Sequence, residues 1–222
     1  MNVIDRAHTR TVMVATLFAL SAATTACGVI GTQGEGAVTS ETRQTDPFTR
    51  IESGTGIHVS IGIGQASPLE VHAQGNILPL IETKVTDGTL RIQSSKAFTS
   101  SEKIEVVVAT PELERIVLSG GSRGTIDGLS SDAFDVELSG GSVLTASGTA
   151  RDLSLAVSGG SVAELDGLTA ATVDVDLSGG SRAEVRATDM VQGSAAGGSR
   201  VSVAGGANAT VDTTGGSHVE QH

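Results

Sequence analysis

The sequence contains few aromatic residues and a single cysteine. Its 222 residues include four Phe, one Cys and no Trp or Tyr. Aromatic side chains usually supply much of the buried area of a folded domain. The core must therefore be built from Val, Leu, Ile and Ala, which suits a narrow and regular interior. A single cysteine also excludes an intrachain disulfide.

Positive charge is scarce as well. Lys and Arg number 14 against 25 Asp and Glu, a formal net charge of −11, and the basic residues form no cluster in the sequence. Nucleic-acid binding requires a positive surface that neutralises phosphates. The composition therefore argues against a nucleic-acid partner.

The first 27 residues have the pattern of an export signal. Two arginines precede TVMVATLFALSAATT, a run of 15 apolar or small residues, and Ala26-Cys27-Gly28 follows. The run is shorter than the roughly 20 residues that a membrane-spanning helix needs. Its end is similar to the lipobox of bacterial lipoproteins, which implies cleavage before Cys27 and lipidation of that residue. The alternative is a secreted protein with a Cys just after its signal. We predict a signal peptide over 1–26 and a lipid anchor on Cys27.

The segment that follows has no periodicity. Residues 27–45 are rich in Gly, Thr, Ser and Gln, a composition typical of a flexible linker. We therefore expect a flexible tether over 27–45 and a folded domain over 46–222.

The rest of the chain shows the alternation of β-strands. Apolar residues at 57, 59, 61 and 63 alternate with smaller or polar ones, and no segment carries the apolar stripe of an amphipathic helix. Asp87-Gly88, between two alternating runs, predicts a hairpin turn. The domain is predicted to be all-β.

Six near-copies of a Gly-Gly-Ser motif recur in the second half of the chain. Their first glycines stand at 120, 140, 159, 179, 197 and 215, so the repeat is 18–20 residues long. Such self-similarity indicates a solenoid, in which each unit buries its apolar face by stacking on its neighbours. Gly-Gly permits positive φ and adds no Cβ to a crowded corner. We predict a β-helix with coils of about 18–20 residues, corners at the Gly-Gly-Ser motifs and an N-terminal β-rich section before it.

The serines of these motifs are candidate functional residues because stacking would place them in one column. The column would contain Ser122, Ser142, Ser161, Ser181, Ser199 and Ser217. Hydroxyl groups satisfy backbone groups in ordinary turns, and we favour that structural role. Gly120–Gly124 also matches G-x-S-x-G, but a nucleophile elbow needs a following helix and a separate His and acid. We attribute the match to chance.

Acidic and histidine side chains are the remaining candidates for chemistry. Four carboxylates precede the corners, namely Asp135, Glu137, Asp174 and Asp176. A β-helix glycosidase needs two carboxyl groups roughly 5–9.5 Å apart. Here Ser154 and Ala156 occupy the coil between the two pairs, and no outward aromatic is near. His58, His72, His218 and His222 are scattered, so solvent-facing positions are expected rather than a metal site. We predict no enzyme activity, no cofactor and no metal.

Three stretches resemble the GIN domain, the putative auto-transporter adhesin head domain. They are FTRI…GIHVSI, NILPLIETKVTDGTLRI and IEVVVATPELERIVLSGG, followed by the recurring SGGS. The resemblance extends from Phe48 to the end of the sequence. It implies a right-handed parallel β-helix in a protein that is often exported or lipid-anchored in bacteria, and it transfers no catalytic residue.

The favoured function is therefore an exported, lipid-anchored cell-envelope protein with a non-catalytic β-helix adhesion or interaction module. Its partners would be the membrane, through the anchor, and an envelope or surface protein or polysaccharide. A carbohydrate-active β-helix enzyme and an envelope signalling partner are the alternatives. The last coil, with SHVEQH after its corner, is smaller and more polar than the others, and this partial taper predicts weak self-association.

Overall fold

The computed structural model describes residues 31–222, whose regular secondary structure is β-strand apart from one 3₁₀ turn. The predicted signal peptide over 1–26 and Cys27 lie outside the described residues. Ten strands precede the repeats: β1 (Thr32–Gln33), β2 (Val38–Arg43), β3 (Arg50–Ser53), β4 (His58–Ile63), β5 (Leu69–Gln74), β6 (Ile81–Thr86), β7 (Thr89–Ser94), β8 (Phe98–Thr99), β9 (Glu105–Thr110) and β10 (Arg115–Leu118). Seven form the repeats: β11 (Arg123–Leu138), β12 (Val143–Val157), β13 (Val162–Leu177), β14 (Arg182–Ala195), β15 (Arg200–Ala204), β16 (Asn208–Thr213) and β17 (His218–Gln221).

The repeats stack as parallel coils. Asp135 pairs with Ser154, Ser154 with Asp174, and Asp174 with Gln192. The residues before each corner form one face, here called the pre-corner face. Those directly after each corner form the post-corner face, where Arg123 pairs with Val143 and Val143 with Val162. The predicted all-β solenoid with coils of 18–20 residues is confirmed.

The interior of the stack consists of aliphatic columns. Phe134, Val136 and Leu138 of one coil are buried beneath Leu153, Leu155 and Val157 of the next. Their polar neighbours in sequence point outward, because successive side chains of a strand project to opposite faces. Each fully buried Val, Leu or Phe side chain contributes about 1.5–3 kcal/mol, which explains how a core almost free of aromatics is stable.

Antiparallel strands close the N-terminal end of the stack. β6 pairs with β7 in a hairpin whose turn residues Asp87 and Gly88 have φ of 50° and 71°. The predicted hairpin is confirmed. On the other face β5 pairs antiparallel with β9, and a 3₁₀ turn over Leu78–Leu80, which joins β5 to β6, packs against the core. These elements protect the edges of the parallel ladder at this end.

The predicted tether is wrong for part of its length. β2 lies within 27–45 and pairs antiparallel with β5, from Val38 opposite Gln74 to Arg43 opposite Leu69. The Arg43 guanidinium donates to the carbonyl of Ile81 at 2.6 Å. β2 is held by backbone hydrogen bonds, and its side chains are mostly exposed. It therefore lacks the alternation from which a half-buried strand is recognised.

The described part of the chain contains no helix that is long and apolar enough to cross a membrane.

Candidate functional site

The Gly-Gly-Ser motifs form the corners of the coils, as predicted. In all six motifs the first glycine has φ of 60–68° and the second has φ of 75–80°. The two positions differ in their surroundings. A Cβ on Gly159 would lie 3.0 Å from the amide nitrogen of Gly140 in the preceding coil, whereas a Cβ on Gly160 would meet no atom within 4 Å. The first glycine thus allows the coils to approach closely, and the second forms an open ridge.

The corner serines are structural. Five of them are at most 1 % exposed: Ser122, Ser142, Ser161, Ser181 and Ser199. Each of the five donates its hydroxyl to the carbonyl three residues earlier, at 2.6–2.8 Å. The Ser161 hydroxyl also accepts the amide N–H of Ser142 at 3.2 Å, and Ser217 accepts that of Ser199 at 3.1 Å. The hydroxyl column therefore closes each of these corners and links two pairs of them.

The G-x-S-x-G match at Gly120–Gly124 has no nucleophile geometry. Ser122 is completely buried, and its hydroxyl is committed to the Ser119 carbonyl at 2.8 Å. The residues that follow enter strand β11 rather than a helix. A nucleophile elbow exposes its serine at a strand-to-helix turn, so this serine belongs to the corner.

The four predicted carboxylates lie on the pre-corner face. Asp135 and Glu137 are both paired with Arg115 on the neighbouring strand. The other two carboxylates, in β13, accept hydrogen bonds from Gln192 and Ser194 at 3.1 and 3.2 Å. Ser154 and Ala156 stand between the two acidic pairs, as predicted. All four carboxylates are therefore ion-paired or hydrogen-bonded with side chains of neighbouring strands.

A groove of about 1090 Å³ lies beside the pre-corner face and crosses the coils from Glu112 to Met190. Asp152 projects into it and accepts hydrogen bonds from Thr172 Oγ1 at 2.6 Å and Arg151 Nε at 2.9 Å. The bond from Thr172, and then that from Arg151, lowers the pKa of Asp152. The general acid of a glycosidase needs a raised pKa. Asp152 is therefore not suited to that role.

The histidines do not converge. His72 lies 3.4 Å from Glu70, whereas His218 and His222 lie 3.3 and 4.0 Å from Glu220. Within residues 31–222 no three His, Cys, Asp or Glu side chains are arranged to hold a metal ion. His58 is half-buried, and its pKa is lowered first by burial and then by the nearby charges of Lys103 and Arg123.

The structure also aligns a set of basic residues that sequence reasoning missed. They lie in one column, at the first position of the post-corner face, where each residue pairs with the next. The column contains five basic residues and two valines, in the order His58, Arg123, Val143, Val162, Arg182, Arg200 and His218. Lys103 lies beside His58 at one end. We call Lys103 and the basic members of this column the basic stripe. The signal in the sequence is the residue after each Gly-Gly-Ser, which is Arg, Val, Val, Arg, Arg and His in turn.

These features define a β-solenoid whose repeated hydroxyls maintain its corners and whose outer faces display columns of polar side chains. The chain belongs to the family described as "Putative auto-transporter adhesin, head GIN domain", whose model matches residues 47–207. A search of curated proteins found no match.

Solved structures share the fold. A protein from Bacteroides fragilis described as a putative adhesin has a TM-score of 0.71 and 20% identity, over 86% of this chain and 100% of its own. A putative adhesin from Parabacteroides merdae has a TM-score of 0.57 and 14% identity, over 86% and 99%. A putative lipid binding protein from Parabacteroides distasonis has a TM-score of 0.55 and 12% identity, over 86% and 98%.

Proposed function

We propose that this protein is an exported, lipid-anchored cell-envelope protein whose β-helix is a non-catalytic adhesion or interaction module. Membership of the adhesin head family supports a surface role. Two proteins of the same fold, from Bacteroides fragilis and Parabacteroides merdae, are described as putative adhesins, which agrees with this role. The export-type pattern over 1–26 and the Cys at position 27 support delivery to, and retention at, the membrane.

The proposal that the module is non-catalytic rests on the hydrogen bonding of the corner serine hydroxyls. Five corner serines are buried and hydrogen-bonded within their own corners. Three carboxyl groups have shifted pKa values, and in each a side-chain hydrogen bond lowers the pKa: Glu41, Glu105 and Asp152. The five serines therefore provide no exposed nucleophile, and the three carboxyl groups provide no raised pKa. The outer faces are therefore suited to contact rather than to bond cleavage.

Membrane attachment can be tested at Cys27. Replacing Cys27 by Ala removes the only thiol that could carry the lipid, so the variant should be released from washed membranes or remain unprocessed. The matched control is Thr24→Leu, which brings the position three residues before Cys27 closer to the usual lipobox. That variant should stay membrane-bound. Wild-type protein that is released from washed membranes as fully as processed Cys27→Ala would contradict the anchor.

Adhesion can be tested separately with whole cells. Cells that display the full chain should be retained on surfaces coated with envelope or matrix material, and cells that express Cys27→Ala should lose this retention. Hydrolysis or elimination of a polysaccharide by the purified protein, abolished by Asp174→Asn, would instead favour the carbohydrate-active alternative.

A further inference from the structure

We propose that the basic stripe on the post-corner face binds a linear acidic polysaccharide. This inference rests on the proposed function, because it supplies the ligand class and the contact surface of the interaction module. The unpartnered arginines, the bare corner ridge beside them and the straight course of the column each support it.

The arginines of the stripe have no partner within the described residues. Six of the nine described arginines bind a carboxylate or a backbone carbonyl: Arg43, Arg50, Arg91, Arg115, Arg151 and Arg186. The guanidinium groups of the other three, Arg123, Arg182 and Arg200, make no hydrogen bond or ion pair within residues 31–222, although their backbone N–H groups are hydrogen-bonded. All three occupy the same position in their coils.

This arrangement has an electrostatic cost. Arg182 lies directly opposite Arg200, and like charges on neighbouring strands destabilise a sheet. The composition does not require such a pairing, because the chain has 25 acidic residues for 14 basic ones. On the pre-corner face Arg115 also lies opposite an arginine, Arg50, but there Asp135 on its other side forms an ion pair with it. A bound anion would remove the repulsion that the fold leaves uncompensated.

The surface beside the stripe is open. The second glycine of each corner carries no side chain, and a Cβ there would meet no atom within 4 Å. A pocket of about 290 Å³ lies between Arg182 and Arg200 and is lined by Gly180 and Gly198 of the ridge. A second pocket, of about 340 Å³, contains His58, Lys103 and Arg123. A ligand can therefore approach the guanidinium groups from the corner side without displacing protein atoms.

The stripe is straight and long. From His58 to His218 the column crosses six strand spacings of about 4.8 Å, or roughly 29 Å. Its middle is formed by the half-buried Val143 and Val162. On the far side from the corner, the next column carries Glu164, Glu184 and Glu220, which would repel an anion. The ligand must therefore be extended, parallel to the coil axis and confined to the ridge.

Charge density favours a polysaccharide over a nucleic acid. Over roughly 29 Å the stripe has three unpartnered arginines, and its fourth permanent cation, Lys103, is paired with Glu105 at 2.8 Å. A DNA duplex carries one charge per about 1.7 Å, and this chain has a net charge of −11 that opposes so dense a polyanion. Glycans with one or two acidic groups per repeat match the stripe better. Arg binds carboxylate and sulfate-type oxygens through two parallel hydrogen bonds.

An acidic peptide fits the site less well. Extended peptides usually add to a sheet through the backbone groups of an edge strand. The stripe crosses interior strands, whose backbone groups are already paired with neighbouring coils. A ligand here must bind through its charged substituents.

The test compares two doubly substituted proteins of equal charge. Arg182→Gln/Arg200→Gln removes two stripe charges, and Arg91→Gln/Arg151→Gln removes two arginines that pair with Glu52 and Asp152 elsewhere. The full chain, purified in detergent, is titrated at several NaCl concentrations against polygalacturonate, dextran sulfate, uncharged dextran, duplex DNA and polyglutamate. The two charged polysaccharides distinguish carboxylated from sulfated ligands, and thermal unfolding verifies the fold of each variant.

Wild-type protein should bind at least one charged polysaccharide and should not bind dextran. The stripe variant should bind at least tenfold more weakly, and its slope of log affinity against log salt should fall by roughly 1–2, as expected for two lost contacts. The control variant should change less than twofold. Equal weakening of both variants, no binding to either charged polysaccharide, or tighter binding to DNA or polyglutamate would overturn the inference. Cys27-dependent membrane attachment and adhesion would persist in that case if the proposed function alone is correct.

Discussion

The two glycines of one corner offer a sharp test of how the coils pack. Gly159 and Gly160 are adjacent and both left-handed, with φ of 65° and 75°. Replacing either by Ala places an L-residue in the left-handed region, at roughly 1–2 kcal/mol. Either change also restricts the unfolded chain to a similar extent, which returns about 0.4–1 kcal/mol. These contributions are shared, so they cancel when the two variants are compared.

The difference between the variants comes from the neighbouring coil. The new Cβ at position 159 would lie 3.0 Å from the amide nitrogen and 3.5 Å from the Cα of Gly140, whereas at position 160 it has open space. Relieving the contact requires a backbone shift, and overpacking of this kind costs about 1–3 kcal/mol. Gly159→Ala should therefore unfold at lower temperature than Gly160→Ala, by roughly 2–10 °C for a domain of this size.

The measurement is thermal unfolding of both variants and the wild type, followed by far-UV circular dichroism at one protein concentration. Solenoids can lose coils separately, so a second probe such as calorimetry should confirm that the same transition is compared. Equal unfolding temperatures for the two variants, or a larger loss for Gly160→Ala, would show that the first glycine is not limited by the preceding coil.

Two further changes probe other parts of the structure. The hydroxyl of Ser53 is buried without a hydrogen-bond partner, and such a group costs about 1–3 kcal/mol. Ser53→Ala should leave the unfolding temperature unchanged or raise it, whereas Ser122→Ala should lower it, and a comparable loss in both would contradict this reasoning. The hydrogen bond from Lys103, with a smaller effect of Ser60, lowers the pKa of Glu105 from its ordinary 4.5. Its stabilisation is therefore present above pH 4.5 and is lost as the pH falls through the folded-state pKa. Because the group is partly exposed, Glu105→Gln should remove at most about 0.5 kcal/mol at pH 7 and flatten the acid limb of stability against pH, which unfolding between pH 3 and 7 measures.

The repeat was predictable because its determinants are local. Gly-Gly recurs wherever two consecutive residues must adopt positive φ, and Phe134, Val136 and Leu138 alternate because one side of the strand is buried. The Asp87-Gly88 turn is local in the same sense. Each of these features can be read within about ten residues, so no knowledge of the partner strand is needed.

Features that depend on register could not be predicted in the same way. The members of the basic stripe are 18–65 residues apart along the chain, and two valines interrupt them. They become neighbours only when the coil lengths are known to the residue. β2 was missed for a different reason: its polar side chains are exposed and its stability comes from backbone pairing with β5.

Coil length varies between the Gly-Gly-Ser corners, including a shift between Ala170 and Thr172 before the pre-corner face, and this has a testable consequence. Between β12 and β13 the register shifts between Thr145 and Ser147, and between β13 and β14 it shifts between Leu165 and Thr169. The Gly-Gly-Ser corners stay aligned, because the first glycine of each corner packs closely against the preceding coil. At two corners a Ser hydroxyl adds a hydrogen bond to the neighbouring corner. The bend at the end of the post-corner face, here called the second corner, is thus one place where insertions are accommodated, and the stripe beside the Gly-Gly-Ser corners remains straight.

One inserted Ser between Asp166 and Gly167, both exposed, should therefore change the unfolding temperature by only a few degrees, since loop length costs little. The same insertion between Gly159 and Gly160 should lower it much more. It would displace the Ser161 hydroxyl from the Ser142 amide, and a one-residue slip turns core side chains outward. Thermal unfolding of the two insertion variants decides the matter, and equal tolerance at both corners would show that the Gly-Gly-Ser column does not set the register of the stack.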